Sequence, residues 1–227
     1  MSLREFSNII KAATPEQRHN LGELTGSSFG SDPDTLCNHI RYLRAGSIGQ
    51  LFWDESWKQV VTDVADHVGI DWLALLGGRR WKQLDTYEIE NAVVAKVFQD
   101  MVNQLSSDQR EKVVLEMQRN SDDPRLEGLL LTGGAIAAAR ASGFGVYLMA
   151  STALGGLTSA LGITLPFAVY MGMSQVLALA LGPVGWLALL GGLAFSLNQP
   201  HWRRLILAVM YVSVLRYRPP LSGTATV

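Results

Sequence analysis

The sequence predicts an all-α protein, a helical bundle with a C-terminal hydrophobic helical hairpin module. Capping-box patterns, and apolar residues at intervals of three and four, recur up to about residue 127. We find no convincing two-residue alternation of the kind that marks a half-buried strand. Ala141 to Trp202, a run of 62 residues, contains no Asp, Glu, Lys or Arg. Uncharged apolar runs of about 18 residues are candidates for membrane spans, and this run could hold two.

Charge divides the chain into two parts. All 20 acidic residues lie at or before Glu127, whereas the chain from Gly128 onward has five arginines and no lysine. We therefore predict an acidic soluble helical domain over 1–127 and a hydrophobic, Gly-rich, arginine-flanked membrane module over 128–217. A disordered tail is predicted over 218–227. This asymmetry favours the lipid bilayer as a partner, and no basic, aromatic-interleaved stripe suggests nucleic acid.

The first helices are predicted from their start and stop signals. Ser2 with Glu5 forms a capping-box pattern at the first helix. Thr14 to Gln17 offers an N-cap, a proline at the first helical position and a capping-box Gln. The second helix should end near Leu24, because Gly, Ser, Asp and Pro dominate the residues that follow.

Further helices follow in order. Asp32-Pro33 predicts a helix start, with that helix running towards Ala45. Ser47 is predicted to cap the next helix, which should run to Val68 and Gly69. Residues 77–80, Gly-Gly-Arg-Arg, are predicted to form a loop.

The clearest amphipathic helix is predicted over Thr86 to Leu105. It opens on Asp85 to Glu88, a capping-box pattern, and apolar residues then recur at four-residue steps. Two shorter helices should follow, with starts at Ser106 and at Asp123-Pro124.

The charge-free stretch predicts membrane-directed helices. Phe144 to Leu165 has 22 residues, about 33 Å of helix, enough for a hydrocarbon core of about 30 Å. Phe167 to Leu197 is broken by Gly182-Pro183 and predicts either one tilted, kinked span or a re-entrant hairpin. His201 to Tyr217 predicts a last helix with an apolar centre.

Small residues at four-residue intervals predict close helix packing inside a membrane, with tight packing in a soluble bundle as the alternative. Arginines and a tryptophan at the borders predict membrane-interface anchors, all on the cytoplasmic side if the stretch makes two spans. The packing candidates are Ser151, Gly155, Gly156, Ser159, Ala160, Gly182, Pro183 and Gly192, and the anchors are Arg140, Trp202, Arg203 and Arg204.

No residue pattern predicts catalysis, a cofactor or a metal ion. Asp63 and His67 share a helix face, but no second ligand pair has matching spacing, so a solvated face is favoured. Residues 77–80 lack the phosphate-loop lysine and a preceding strand. Cys37 is the only cysteine, which fits a reducing compartment, and no His partner is apparent. Ser151 lies among small residues without a nucleophile-elbow motif.

Three blocks of the sequence resemble the YaaW-like family of uncharacterised bacterial proteins, grouped with ubiquinol–cytochrome c chaperone-type domains. They are Thr86 to Met117, opening on Thr-Tyr-Glu-Ile-Glu; Leu181 to Arg216, opening on Leu-Gly-Pro-Val-Gly; and Ile40 to Val68, opening on Ile-Arg-Tyr-Leu-Arg. The resemblance implies a helical bacterial protein linked to protein quality control or to assembly of membrane complexes. It carries over no functional residues.

The protein is expected not to be an enzyme, and three functional hypotheses follow. It could insert a Gly-rich hydrophobic hairpin into the bilayer, as membrane-inserting or pore-forming effectors do. It could be a membrane-anchored assembly factor or chaperone, with a membrane protein complex as partner. It could instead be a soluble bundle that buries its apolar helices, or that uses them in a homo-oligomer. The expected location is the bacterial inner membrane, or the cytoplasm with membrane association.

Overall fold

A computed structural model describes residues 3–27, 30–49, 56–103, 106–108, 144–160 and 200–216. Across these ranges the protein is helical and has no strand, as predicted for an all-α fold. The α-helices with both bounds inside these ranges number eight, and they are labelled α1 to α8 in chain order. Of the two helices predicted to start at Ser106 and at Asp123-Pro124, only residues 106–108 are described, and the apolar residues 161–199 and the predicted disordered tail lie outside the described ranges.

The predicted starts of the second and third helices are confirmed, whereas the predicted cap at Ser2 is wrong, because the first helix begins after Leu3 and has no side-chain cap. Helix α1 is Arg4–Ala12, α2 is Pro15–Thr25 and α3 is Pro33–Gly49. The predicted capping box of α2 is present, because the Thr14 N–H donates to the Gln17 side chain and the Gln17 N–H donates to the Thr14 hydroxyl. Gly26 ends α2 in the left-handed conformation, with φ of 70°.

The prediction that Ser47 caps the fourth helix is wrong. Helix α3 continues through this residue to Gly49, and α4, Trp57–Val68, begins after Ser56. The Ser56 hydroxyl accepts from the Gln59 N–H at 3.2 Å and so provides the cap. Both serines are acceptable caps by residue type, but only Ser56 directly precedes a helix, so its hydroxyl reaches the N–H of the third helical residue, Gln59.

Helix α5 is the short segment Trp72–Leu76, and a 3-10 turn follows at Trp81–Gln83. The intervening residues 77–80 form the predicted loop. Helix α6 is Thr86–Asn103, close to the predicted bounds, and the Asp85 N–H donates to the Glu88 carboxylate at 3.1 Å. This bond is one half of the predicted capping box.

The last two described helices come from the charge-poor part of the sequence. Helix α7 is Phe144–Ala160 and α8 is Pro200–Arg216, each 17 residues long. Of the predicted span Phe144 to Leu165, residues 161–165 lie outside the described ranges. Among the described helices, none combines the length and the apolar character that crossing a bilayer requires.

Helix α8 lies at the centre of the bundle. Every residue from Leu205 to Val214 is buried, and α8 contacts α1, α2, α3, α4, α6 and α7. A helix that is apolar on all sides is stable in water only when it is enclosed in this way. Two polar side chains in it have hydrogen-bond partners: Ser213 donates to the Val209 carbonyl within α8, and Tyr211 donates to the Gln17 carbonyl of α2, each at 3.0 Å.

One hydrophobic core includes helices from both sides of the predicted domain boundary at residue 127. Val93 and Phe98 of α6, Leu154 of α7 and Val209 of α8 all belong to it. The boundary itself lies outside the described ranges, and the division into 1–127 and 128–217 stays a prediction from charge. The described helices on its two sides nevertheless pack as one body.

Candidate functional site

A buried cluster of charged side chains joins the beginning of the chain to its last helix. Glu90, in the second turn of α6, is fully buried, and Arg216 is the last residue of α8. Glu5 comes from α1 and Trp57 from the first turn of α4. These four residues, called here the Glu90 cluster, hold four helices at one point.

The geometry of the cluster is that of a forked arginine–carboxylate pair. The Nε and Nη2 atoms of Arg216 donate to the two oxygens of Glu90, at 2.8 and 3.0 Å. The Trp57 indole N–H donates to Oε1 of Glu90 at 2.5 Å, and Nη2 of Arg216 also donates to Glu5 at 2.7 Å. Bidentate pairing of this kind fixes orientation as well as charge.

Neighbouring contacts cover the cluster. The ring of Phe6 packs against that of Trp57 with centroids 4.8 Å apart. The Thr86 hydroxyl donates to the second oxygen of Glu5 at 3.0 Å, which ties the start of α6 to α1. Glu5 is the most exposed member, with 42% of its side chain accessible, so it forms the outer edge of the cluster.

Burial and pairing act on the Glu90 carboxyl in opposite directions. Burial raises the pKa of Glu90 above its usual value of 4.5, while Arg216 and the Trp57 N–H oppose the rise. Burial also lowers the pKa of Arg216, but Glu90 and Glu5 together hold that pKa above its usual value. The guanidinium therefore stays charged, and the carboxyl is the member that titrates.

The Glu90 cluster thus has the properties of a clamp. Both carboxylate oxygens of Glu90 accept from protein donors, and its side chain has no exposure to solvent. Removing the Arg216 charge would leave Glu90 without a cation in a fully buried position, which is strongly destabilising, whereas Arg216 without Glu90 would keep its pair with Glu5. The cluster therefore fixes where the C-terminal end of α8 lies in the bundle.

The beginning of α8 is held by a second cluster. The Trp202 ring stacks on His67 of α4, with centroids 4.6 Å apart and planes 9° apart, and the Arg44 guanidinium lies 6.0 Å from the Trp202 ring centre. Arg44 also pairs with Asp63. Asp63 and His67, considered above as a shared face, thus make separate contacts with α3 and α8.

The predicted membrane-interface anchors lie in different environments. Trp202 and Arg203 are half-buried, and Arg204 is exposed. The Arg204 guanidinium lies so close to Gly26 that a Cβ there would be 2.6 Å from its Cζ. Trp202 contacts the bundle in this structure. Arg140 lies outside the described ranges.

The predicted packing residues are only partly described. Ser151 is buried in α7 and Gly155 is half-buried. The side chains at Gly156, Ser159 and Ala160 are not described, although these positions belong to α7, and Gly182, Pro183 and Gly192 lie outside the described ranges. The close contact predicted for the α7 glycines stays a prediction.

Sequence reasoning missed the Glu90 cluster, although one signal was present. Glu90 precedes Val94 and Phe98 at four-residue steps, so it occupies a row of α6 that is otherwise apolar. A carboxylate in such a row requires a buried cation as partner. The sequence offers Arg216 at the end of an apolar helix, but 126 residues separate the two, and only the fold brings them together.

Comparison with known proteins adds no family to this geometry: no family model, no curated protein and no solved structure matches the chain. The resemblance to the YaaW-like family stays a prediction from the blocks quoted above.

The Glu90 cluster predicts a specific pH dependence. A carboxyl whose pKa is raised on folding stabilises the folded state below its unfolded pKa and loses that contribution as pH rises. Glu90→Gln does not titrate. We expect the free energy of unfolding of the wild type, minus that of Glu90→Gln, to fall as pH rises from 4.5. Urea unfolding of both proteins across pH tests this, and a difference that grows with pH would contradict it.

Proposed function

We propose that this chain is a non-enzymatic, membrane-associating helical protein. In this proposal the bundle stays at the membrane surface and inserts the apolar segment 161–199 into the bilayer as a re-entrant hairpin. Helices α7 and α8 act as the two stems of that hairpin and remain in the bundle.

The observation that carries the proposal is the position of the two stems. Helix α7 ends at Ala160 and α8 begins at Pro200, and the two helices pack against each other and against α6. Both ends of the apolar segment therefore leave from one compact body. A segment tethered in this way can enter a membrane and return to the same side, whereas a single crossing would require the bundle to come apart.

The composition of the segment supports the same topology. Residues 161–199 contain no charged side chain, and Gly182-Pro183 lies near their midpoint. Pro166 interrupts the first part. As helices, the residues between Pro166 and Gly182-Pro183 would measure about 22 Å and those after this dipeptide about 24 Å. Both lengths are short for a hydrocarbon core of about 30 Å, which favours a re-entrant hairpin over two full spans. These residues lie outside the described ranges, so this step rests on their sequence.

The contacts of α8 support its role as a fixed stem. Its centre is buried on all sides, its C-terminal end is held by Glu90, and its beginning is held by His67 through Trp202. Arg203 and Arg204 stand immediately after the charge-free stretch, where they can remain outside the hydrocarbon core.

Two measurements on purified protein mixed with vesicles test the proposal. We expect a fraction of the protein to resist extraction by alkaline carbonate, as inserted segments do. Cysteines introduced singly as Arg140→Cys and Arg204→Cys, each in a Cys37→Ser background, should react equally with a membrane-impermeant thiol reagent added outside. Complete extraction by carbonate, or opposite labelling of the two positions, would overturn the hairpin.

A further inference from the structure

The turn around α5 carries an exposed apolar tip. Leu73 is 85% exposed, the largest value among the bulky apolar residues described. Trp81, from the following 3-10 turn, is 38% exposed, and its ring meets that of Trp72 edge to face with centroids 5.2 Å apart. One leucine and an indole pair therefore form a small apolar surface on residues 71–83, called here the α5 turn.

The α5 turn is a structured element. The Asp71 carboxylate caps α5 by accepting from the Ala74 N–H at 3.0 Å, and the Trp72 indole N–H donates to the Asp66 carboxylate. Gly77 and Gly78 then reverse the chain with φ of 53° and 82°, values that residues with a Cβ rarely adopt. Leu73 is thus exposed on a helix that is capped and anchored.

Cations border this apolar tip on the side of Trp81. Arg80 and Lys82 are exposed, and neither forms an ion pair within the part of the chain that the structure describes. Arg79 is different, because it pairs with Glu88 at 2.9 Å. The Lys58 Nζ lies 4.9 Å from the centre of the Trp81 ring. Arg80 and Lys82 therefore carry positive charge on the Trp81 side of the turn, whereas on the Trp72 side the Asp66 and Asp71 carboxylates accept N–H groups and carry negative charge.

We propose that the α5 turn docks the protein on a bilayer surface that contains anionic phospholipids. Leu73 enters the boundary between headgroups and acyl chains, the indoles of Trp72 and Trp81 lie at headgroup level, and Arg80 and Lys82 contact lipid phosphates. This graded order of apolar, amphipathic and cationic side chains matches the polarity profile of a membrane interface. The inference deepens the proposed function by naming the contact that precedes insertion and the lipid class that it recognises.

The test measures capture of the full-length protein on immobilised vesicles. We compare vesicles of phosphatidylcholine alone with vesicles that also contain phosphatidylglycerol. Leu73→Asp should lower the amount captured at equilibrium on the mixed vesicles about tenfold or more at subsaturating lipid, because an apolar side chain no longer enters the interface. Asn8→Asp adds the same charge at an exposed position of α1 and should leave capture unchanged. Thermal unfolding confirms that both variants are folded.

A second variant separates charge from apolar contact. Arg80→Gln combined with Lys82→Gln should abolish the preference for phosphatidylglycerol, since each basic residue near an anionic surface contributes about 1 kcal/mol, together about tenfold or more. Equal capture of Leu73→Asp and wild type would overturn the proposal and would favour a protein partner for this surface. Absence of wild-type capture would also overturn it.

These experiments distinguish failure of the docking proposal from failure of the hairpin proposal. Carbonate extraction after long incubation measures insertion alone. If all captured protein is extracted while capture still depends on Leu73, the proposed hairpin fails and the docking surface stands. If Leu73→Asp is captured and inserted to the wild-type extent, the docking surface fails and the hairpin stands.

Discussion

Replacing Arg216 by Met is expected to lower the free energy of unfolding by about 3–5 kcal/mol, the cost of removing one partner from a buried ion pair. In this variant Glu90 remains buried and loses both hydrogen bonds from Arg216. Its carboxylate keeps only the hydrogen bond from the Trp57 N–H. Chemical denaturation at neutral pH measures the loss. The loss should shrink on acidification, because burial raises the pKa of Glu90 and protonation removes the uncompensated charge.

Two matched variants make this result specific. Arg79→Met breaks a second arginine–glutamate pair, but the Arg79 side chain is 43% exposed, and exposed pairs contribute at most about 1 kcal/mol. The double variant Glu90→Leu, Arg216→Met removes both charges and should regain much of the stability lost in the single variant. If Arg216→Met costs no more than Arg79→Met, the Glu90 cluster is not a clamp.

A fragment of residues 1–127 is expected to lose cooperative unfolding. It lacks α8, whose Leu205, Leu207, Val209 and Met210 are among the most deeply buried side chains of the core. A fully buried large apolar side chain contributes about 1.5–3 kcal/mol to stability. The loss of all the buried side chains of α8 therefore costs more than about 10 kcal/mol. Whole domains are stable by about 5–15 kcal/mol, which leaves the fragment with little or no margin.

The matched control is the chain ended at residue 217. It keeps α8 and Arg216 and omits only 218–227, so we expect it to unfold as cooperatively as the full chain. Circular dichroism during thermal unfolding compares the two. A sharp transition of fragment 1–127 at the temperature of the full chain would show that the acidic part is an independent domain, as charge alone predicts.

Local signals in the sequence predicted most of the helices described. Thr14 and Gln17 define a capping box by residue type and spacing alone, and the four-residue apolar steps of α6 define its buried face. Ser47 failed as a cap because a serine inside α3 and a serine before α4 look alike locally. Information of this kind reaches across one helical turn, and no further.

These local signals could not predict which helices pack against each other. An apolar helix such as α8 has the same sequence pattern whether lipid or protein surrounds it, and only the other helices decide. Trp202 illustrates the point, since tryptophan beside arginine is typical of a membrane interface, yet its ring stacks on His67. The pairing of Glu90 with Arg216 was likewise invisible, because it depends on where α8 lies.

Native-state hydrogen exchange on the full chain tests the central claim most directly, namely that α8 is part of the bundle core. We predict that the amides of residues 205–214 exchange only through global unfolding, with the same opening free energy as those of Val93 and Val97 in α6. Exchange of 205–214 that is orders of magnitude faster than exchange in α6 would show that α8 is not held in the bundle, and would contradict this account.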